Sequence, residues 1–283
     1  AVEGVRTLPV VRIAGGAVLD VRGTVTAGPV FEVVTGQAAV IAGSGTLTVP
    51  DGATLDLTSD SVNPLYLRES VAVVNDGRID QTNSSIRLEQ TASLVNRGEW
   101  TIADNGDIYT GAATPLRNEG SITIDAPVDT QIGFGGGVLD NPGTITVLDG
   151  LIDFRSTTIA QVVDGTLTGG TWLLADGVEW RGFPVVTAIG PDAVLGVEGS
   201  GRFNQFALSS SLSSLARIDG VVRATGAAEV STAVPLRIDG RLVVGETATV
   251  TAPSVTFGAT ATYEVEIGDI LRDEGYLVRL AAN

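Results

Sequence analysis

Carboxyl groups are the side chains in this sequence that are best suited to chemistry. The 283 residues include 33 acidic residues and 17 basic ones, and every basic residue is arginine; histidine, cysteine, methionine and lysine are absent. This composition excludes nucleophiles that depend on histidine or cysteine, ordinary zinc sites and disulfides. Acid–base chemistry with paired carboxyl groups, as in glycoside hydrolases, is still open. The close pairs are Asp56/Asp60, Asp104/Asp107, Asp149/Asp153 and Asp176/Glu179.

The same acids have a simpler structural interpretation. Most of them stand beside glycine in turns, where aspartate is favoured because its side chain bonds to its own backbone. Nothing in the sequence singles out one pair, so we predict no catalytic residue. The run from Asp104 to Asp107 is rich in oxygen ligands but lacks the twelve-residue pattern of a calcium loop. We therefore predict no metal site and no cofactor.

Net charge and hydropathy restrict the partners. The formal net charge is −16, and binding to nucleic acid or to anionic lipid requires a basic surface instead. No segment approaches the roughly 20 consecutive apolar residues of a membrane span. The chain does not begin with methionine. From the charge we expect no nucleic-acid partner, and from the hydropathy no membrane span. Because the first residue is not methionine, we expect the chain to be part of a longer protein.

The elements that must position any site come from an internal repeat. The form Asn-x-Gly-x-apolar occurs four times, with glycines at steps of 21, 22 and 23 residues, and Asp164-Gly165 continues it at a step of 22. Apolar residues recur at fixed distances from each glycine and then alternate with polar ones, which predicts short strands with one buried face. The four asparagines are Asn75, Asn96, Asn118 and Asn141, and the glycines are Gly77, Gly98, Gly120 and Gly143.

The asparagine column predicts an inward ladder. Each amide would bond to the backbone of its turn and to the next asparagine, while the glycine two positions later takes a left-handed conformation. This interpretation makes the four asparagines structural. A role in ligand binding would require their side chains to be exposed.

A constant repeat of about 22 residues with several short strands predicts an all-β, single-domain parallel β-helix, a solenoid of about 13 coils. A β-sandwich or an up-and-down barrel is the alternative, because frequent turns fit those folds too. The segment 206–218 is the best helix candidate but is too rich in serine. An insertion is expected around 59–69, and the register over 166–198 is left open. The segment Gly199-Ser200-Gly201 and the glycines at 220 and 240 continue the repeat.

The absence of linkers predicts one elongated domain over residues 1–283. Within it, residues 1–40 would form the N-terminal cap and first coils, 41–249 the coils, and 250–283 the C-terminal coils or cap. Exposed coil ends need covering because their backbone groups are unpaired.

The tryptophans offer one binding interpretation. Trp100 shares its repeat position with Ile79 and Ile122 and is expected in the core. Trp172 and Trp180 flank a turn and could form a platform on which a sugar stacks. Packing in the core or capping of a coil is the alternative for both.

The repeats resemble the passenger regions of bacterial surface adhesins of the autotransporter and filamentous-haemagglutinin type. The resemblance lies in the Asn-x-Gly-x-Ile-x-Ile coils, in 164–172 (DGTLTGGTW) and in 260–269 (TATYEVEIGD). It implies a parallel β-helix at the cell surface or outside the cell. We therefore expect a non-enzymatic structural or adhesive segment whose partner is a host-surface or matrix glycan or protein. The alternative is a polysaccharide-binding or polysaccharide-hydrolysing β-helix that uses Asp and Glu carboxylates, as in tailspike-like proteins.

Overall fold

A computed structural model of the chain describes residues 2–34, 38–58, 63–104, 106–111, 114–126, 131–155, 157–205 and 210–266. The regular structure of these residues is entirely β, and none of them lies in a helix, so none belongs to a helix that could cross a membrane. The chain divides into two compact units, unit 1 (Ala1–Ala160) and unit 2 (Gln161–Asn283). The single-domain prediction stays a prediction.

The strands of unit 1 are short and follow one another around successive coils. They are β1 (Val5–Ala14), β2 (Val18–Val21), β3 (Thr24–Val34), β4 (Ala39–Gly43), β5 (Thr46–Val49), β6 (Thr54–Thr58), β7 (Pro64–Leu67), β8 (Ala72–Asn75), β9 (Arg78–Thr82), β10 (Ser85–Leu88), β11 (Ser93–Asn96), β12 (Glu99–Ala103), β13 (Ile108–Thr110), β14 (Pro115–Asn118), β15 (Ser121–Asp125), β16 (Gln131–Gly135), β17 (Val138–Asp140), β18 (Thr144–Asp149), β19 (Leu151–Arg155) and β20 (Thr158–Ile159).

These strands stack into three parallel faces. Face 1 contains β5, β8, β11, β14, β17 and β20, and face 2 contains β6, β9, β12, β15 and β18. The long strands β1 and β3 cross the corner and supply both faces. Face 3 contains β2, β4, β7, β10, β13, β16 and β19. Every strand pairing described within unit 1 is parallel, which excludes the sandwich and barrel alternatives.

The core of unit 1 consists of columns of equivalent residues. On face 2, Ile79, Trp100, Ile122 and Ile145 are directly aligned on successive strands, and each is at most 1% exposed. Their neighbours on either side along each strand point outward, because successive side chains of a strand alternate between faces. The prediction that residues about 22 apart stack on one another is confirmed, including the core position of Trp100.

Unit 2 repeats the coil with more irregular lengths. Its strands are β21 (Val162–Val163), β22 (Thr166–Leu174), β23 (Glu179–Arg181), β24 (Ala188–Glu198), β25 (Arg202–Asn204), β26 (Arg217–Ile218), β27 (Val221–Thr225), β28 (Glu229–Ser231), β29 (Leu236–Ile238), β30 (Arg241–Gly245), β31 (Thr249–Thr251), β32 (Val255–Phe257) and β33 (Thr262–Glu266). Their described pairings are parallel except that of β21 with β22, which is antiparallel. The pairing of β22 with β24 gives the register over 166–198 that the sequence left open.

The fold has about 11 coils, two fewer than predicted. The difference arises because some coils are longer than 22 residues: Thr46 pairs with Ala72, an offset of 26, and Ala188 pairs with Arg217, an offset of 29. The first long coil includes the expected insertion, of which 59–62 lie outside the described residues. The second includes the helix candidate, of which 206–209 lie outside them; 211–214 form turns and 217–218 a strand.

The long coil of unit 2 also corrects one repeat assignment. A Cβ added at Gly220 would lie 2.1 Å from the carbonyl oxygen of Gly190, so Gly190 occupies the equivalent place in the preceding coil. The segment Gly199-Ser200-Gly201 was predicted to hold that place. It forms a different corner, where Gly199 has φ +54 and Ser200 bonds to Asp176. The assignment from glycine spacing was wrong because it assumed coils of equal length, and the coil lengths vary.

The repeat glycines of unit 1 have a different role from the predicted one. None of the four glycines of the Asn-x-Gly repeat has a positive φ, so the left-handed conformation predicted for them is wrong. A Cβ at Gly98 would instead lie 1.9 Å from the carbonyl oxygen of Gly77, and one at Gly120 would lie 2.2 Å from that of Gly98. Glycine is required because the backbones of neighbouring coils approach too closely for a side chain. Gly165 does have a positive φ, of 75°, and the adjacent Asp164 is exposed.

Candidate functional site

The most ordered polar feature of unit 1 is the asparagine ladder, formed by Asn75, Asn96, Asn118 and Asn141 at the corner between faces 1 and 2. All four side chains have no exposed surface. Each Nδ2 donates to the Oδ1 of the next asparagine, at 2.6 Å, 2.7 Å and 2.6 Å along the ladder. The geometry matches the inward ladder that the sequence predicts, and no ligand can reach these amides while the coils are closed.

The ladder also ties face 1 to face 2 of the next coil. Nδ2 of Asn75 donates to the carbonyl oxygen of Glu99 at 3.0 Å, and Nδ2 of Asn118 donates to that of Thr144 at 2.9 Å. The backbone carbonyl of Asn75 accepts from the N–H groups of Arg97 and Gly98, at 2.7 Å and 2.9 Å. Apart from Oδ1 of Asn75, the side-chain and backbone groups described here pair with one another, which avoids the cost of desolvated unpaired groups.

The first asparagine of the ladder, Asn75, has one side-chain atom without a hydrogen-bond partner in the described part of the chain. Oδ1 of Asn75 is buried without a donor in the described part of the chain, and Val49, which is also fully buried, is the aligned residue of the preceding coil. Val49→Thr would place a hydroxyl donor beside this acceptor, whereas Val73→Thr buries a hydroxyl among aliphatic neighbours. We expect Val49→Thr to destabilise the protein by about 1 kcal/mol less than Val73→Thr in urea denaturation. Equal losses would contradict this arrangement.

Charged residues outside the ladder form an ion-pair chain across the same coils. Arg97 pairs with Asp76 at 3.7 Å and with Glu119 at 3.0 Å, and Arg117 pairs with Glu119 at 2.6 Å and with Asp140. Hydrogen bonds from Arg117, and next from Arg97, lower the pKa of Glu119. These pairs cross from one coil to the next on the exposed side of the corner, so they add a second set of contacts between coils.

The lowered pKa of Glu119 predicts a dependence of stability on pH. Its contribution is fully present above the ordinary glutamate pKa of about 4.3 and is lost as pH falls through the lower value in the folded state. Glu119→Gln should therefore be less stable than the unmodified chain at pH 7, by less than about 1 kcal/mol because the pairs are exposed. We expect this difference to shrink when urea denaturation is repeated below pH 4.

Glu246 provides the matched control, because it is exposed and makes no ion pair with the described residues. Glu246→Gln should leave the stability unchanged at both pH values. A deficit of Glu119→Gln that is the same at pH 7 and below pH 4 would exclude the ion pairs as its cause.

One member of each carboxylate pair in unit 1 accepts a structural hydrogen bond. Asp56 accepts from the hydroxyl of Thr58 at 2.6 Å, and its partner Asp60 lies outside the described residues. Asp107 accepts from the hydroxyl of Tyr109 at 2.6 Å, and Asp149 accepts from the N–H of Gly150 at 2.7 Å. These are the local bonds to turns and neighbouring side chains that the structural interpretation expects.

The pair in unit 2 has pKa shifts that do not suit a general acid. The backbone N–H of Ser200, and next its hydroxyl, lower the pKa of Asp176 by hydrogen bonding. A hydrogen bond from Arg181 lowers the pKa of Glu179, which also accepts from Asn204 at 3.0 Å. A glycosidase acid needs a raised pKa so that it is protonated when substrate binds. Among the described residues, no group of three or more acids is placed to hold a metal ion.

Trp172 and Trp180 lie inside unit 2. Neither ring is exposed, and their centroids are 5.6 Å apart. Phe183 lies against both rings and Phe203 lies 5.7 Å from Trp180, while Nε1 of Trp172 donates to the carbonyl of Gly169 at 3.1 Å. This aromatic cluster favours the core interpretation, because a sugar-stacking platform needs a ring face open to solvent.

Face 3 of unit 1 carries surface residues that sequence reasoning missed. Tyr66, Arg87 and Tyr109 are aligned on β7, β10 and β13 and lie half-buried between fully buried neighbours, so their side chains point outward. A signal was present in the sequence, because the three residues follow one another at steps of 21 and 22 residues, and Tyr66 and Arg87 each stand between two apolar residues. We call these three residues the tyrosine–arginine stripe.

Comparisons of the chain with protein-family models, with curated proteins and with solved structures give no match. The resemblance to adhesin passenger regions therefore remains a prediction from the repeats. The structure itself shows a parallel β-solenoid with a repeat of about 22 residues.

Proposed function

We propose that this chain is a non-enzymatic structural or adhesive segment, a stalk or passenger, of an extracellular bacterial surface protein. The observation that supports this most directly is the asparagine ladder, in which buried amides join four successive coils without a break. Such a ladder resists separation of the coils, because pulling one coil away leaves buried polar groups unpaired on both sides. The mechanism is geometric: the stack keeps its form under load and under attack by proteases.

The polar surface of the corner supports the same proposal. The ion-pair chain from Asp76 to Asp140 links coils on the outside where the ladder links them on the inside. The lowered pKa values of Asp176 and Glu179 match carboxylates that hold a structure together. An extracellular place accords with the lack of cysteine and with the resemblance of the repeats, and the segment would act as part of a longer protein.

Protease resistance and enzymatic turnover together test the proposal. The purified chain should remain intact in proteinase K under conditions that digest a two-residue ladder variant, Asn96→Ala/Asn118→Ala. On a panel of neutral and acidic polysaccharides it should release no reducing ends. Release of reducing ends that disappears in Asp153→Asn or in Glu179→Gln would replace this proposal with the hydrolase alternative.

Surface location is tested separately in the source organism. Proteinase K added to intact cells should remove an epitope tag placed at the exposed turn around Gly52. Protection of the tag in intact cells, with digestion after lysis, would contradict the extracellular part of the proposal.

A further inference from the structure

The tyrosine–arginine stripe presents aromatic and cationic groups together on the outer side of face 3. The guanidinium carbon of Arg87 lies 4.5 Å from the ring centroid of Tyr109, and that of Arg68, at the end of β7, lies 4.3 Å from the ring centroid of Tyr66. Stacking of this kind holds a guanidinium flat against the ring and fixes the direction of its N–H groups. The stripe is therefore a preorganised surface rather than a row of mobile side chains.

The next coil makes room for the tyrosine ring at the end of the stripe. Gly135 is the residue aligned with Tyr109 on β16, and a Cβ there would lie only 2.7 Å from Cδ1 of the tyrosine ring. The ring therefore leans over bare backbone, and a larger residue would push it away. Glycine at this position therefore holds the ring of Tyr109 in its place over β16.

Arg87 has no acidic partner among the described residues, although acids outnumber arginines about two to one in the chain. At least ten other arginines of the described residues pair with a carboxylate, among them Arg68 with Glu89 at 2.8 Å. Arg87 makes no ion pair with any described residue, and its Nε is buried without an acceptor. Because Nε is buried, an external carboxylate can be bound only by the two terminal nitrogens of this guanidinium, each of which donates one of two parallel hydrogen bonds.

Acceptors for hydroxyl groups lie on either side of this cation. Asp107 is fixed by the hydroxyl of Tyr109 at 2.6 Å, and Glu89 is fixed by Arg68. Carboxylates held in this way accept hydrogen bonds from the hydroxyls of a sugar, while the half-buried tyrosines offer apolar contact to its ring carbons. One unpaired cation between hydroxyl acceptors matches a sugar unit that carries both a carboxylate and hydroxyls.

We propose that the tyrosine–arginine stripe binds a polysaccharide that contains uronic acid, with one carboxylate of the glycan on the guanidinium of Arg87. This deepens the adhesive role proposed above and rests on it. Successive coils are about 4.8 Å apart, which is close to the length of one sugar unit. In an extended glycan that lies across the coils, each sugar unit would therefore contact one coil. A nucleic acid or polyphosphate fits less well, because each of its units is charged and the formal net charge of the chain is −16, whereas a glycan with one uronic acid among neutral sugars places its single carboxylate on Arg87.

The test uses the full chain and hexasaccharides of otherwise neutral sugars that contain one galacturonic, glucuronic or guluronic acid unit. Each hexasaccharide is compared with its methyl ester, which keeps the sugar and removes the charge. Isothermal titration calorimetry should detect binding of at least one acid form, with affinity at least tenfold lower for its methyl ester. Arg87→Gln should weaken binding of the acid form at least tenfold. The folded state of each variant is checked by its urea midpoint.

Arg78→Gln is the matched control, because Arg78 is an exposed arginine on face 2 of the same unit that pairs with Asp80. It removes the same charge and should change the affinity less than twofold. Equal weakening in the two variants, equal binding of acid and ester, or no binding of any hexasaccharide would overturn the stripe as a uronic-acid site. These results leave proteinase resistance unaffected, so they are distinguishable from a failure of the structural role. Cleavage of a hexasaccharide would instead count against both proposals.

Discussion

Gly98→Ala should cause the largest loss of stability among single substitutions in unit 1. The added methyl carbon would lie 1.9 Å from the carbonyl oxygen of Gly77 and 2.8 Å from its carbonyl carbon, and both are backbone atoms that no rotamer change can move. The two coils would have to separate at the corner where Gly98 N–H donates to Asn75 at 2.9 Å and Glu99 N–H donates to Gly77 at 2.9 Å. We expect a loss of at least about 3 kcal/mol, the upper end for overpacked sites, measured by urea denaturation.

Gly111→Ala separates this effect from the general cost of replacing glycine. Gly111 also lacks a positive φ and lies in unit 1, but a Cβ there would meet its nearest atom, Oγ1 of Thr114, at an ordinary 3.4 Å. Its substitution should change the stability by less than about 1 kcal/mol. If Gly98→Ala and Gly111→Ala had similar midpoints, close approach of the coils could not be the reason for the repeat glycines.

The stacking of coils in unit 1 could be predicted from the sequence because equivalent positions of successive coils contact one another. The same type of residue is therefore needed at such a position in every coil. Ile122 and Ile145 are aligned, as their equal distance from the repeat glycines indicates. The asparagine ladder was predictable for the same reason, since a buried amide is tolerated only where the next coil supplies a matching one. Periodicity therefore revealed the features in which each coil constrains its neighbour.

Coil length and glycine conformation could not be predicted in this way. An insertion into a surface corner adds little to the cost of closing the coil, so long coils are tolerated. The 26-residue offset contains the insertion expected around 59–69, whereas no spacing in the sequence indicated the 29-residue offset. Glycine marks both a left-handed turn, as at Gly165, and a close approach of backbones, as at Gly98. Both roles require glycine, so the sequence alone does not distinguish them. The distance to the backbone of the neighbouring coil does.

The tyrosine–arginine stripe escaped prediction for a related reason. Outward positions are not restricted to one residue type by the coil above or below, so their side chains differ from coil to coil. Tyr66, Arg87 and Tyr109 form a single surface only after the register of face 3 aligns them. A search for identical residues at equal spacing detects the core columns. It does not detect a surface whose aligned residues differ in type.

Asn118→Ala should cost about 1–3 kcal/mol of the free energy of unfolding. The substitution removes the bond from Asn96 at 2.7 Å and those to Asn141 and to the carbonyl of Thr144, at 2.6 Å and 2.9 Å. Because the whole corner is closed to solvent, water cannot replace these bonds unless the coils open. Urea denaturation followed by circular dichroism measures the loss, and resistance to proteinase K should fall with it.

Position in the ladder provides the control for Asn118→Ala. Asn75→Ala removes a residue of the same type and burial, but its Oδ1 accepts no hydrogen bond from the described residues, so fewer bonds are lost. It should therefore cost less than Asn118→Ala, while Thr123→Ala, on the outward side of β15, should cost less than about 0.5 kcal/mol. Equal losses of stability for Asn75→Ala and Asn118→Ala would show that burial of the amide matters. They would also show that an unbroken row of hydrogen bonds between the asparagines does not. In that case the ladder would not be the contact that resists separation of the coils.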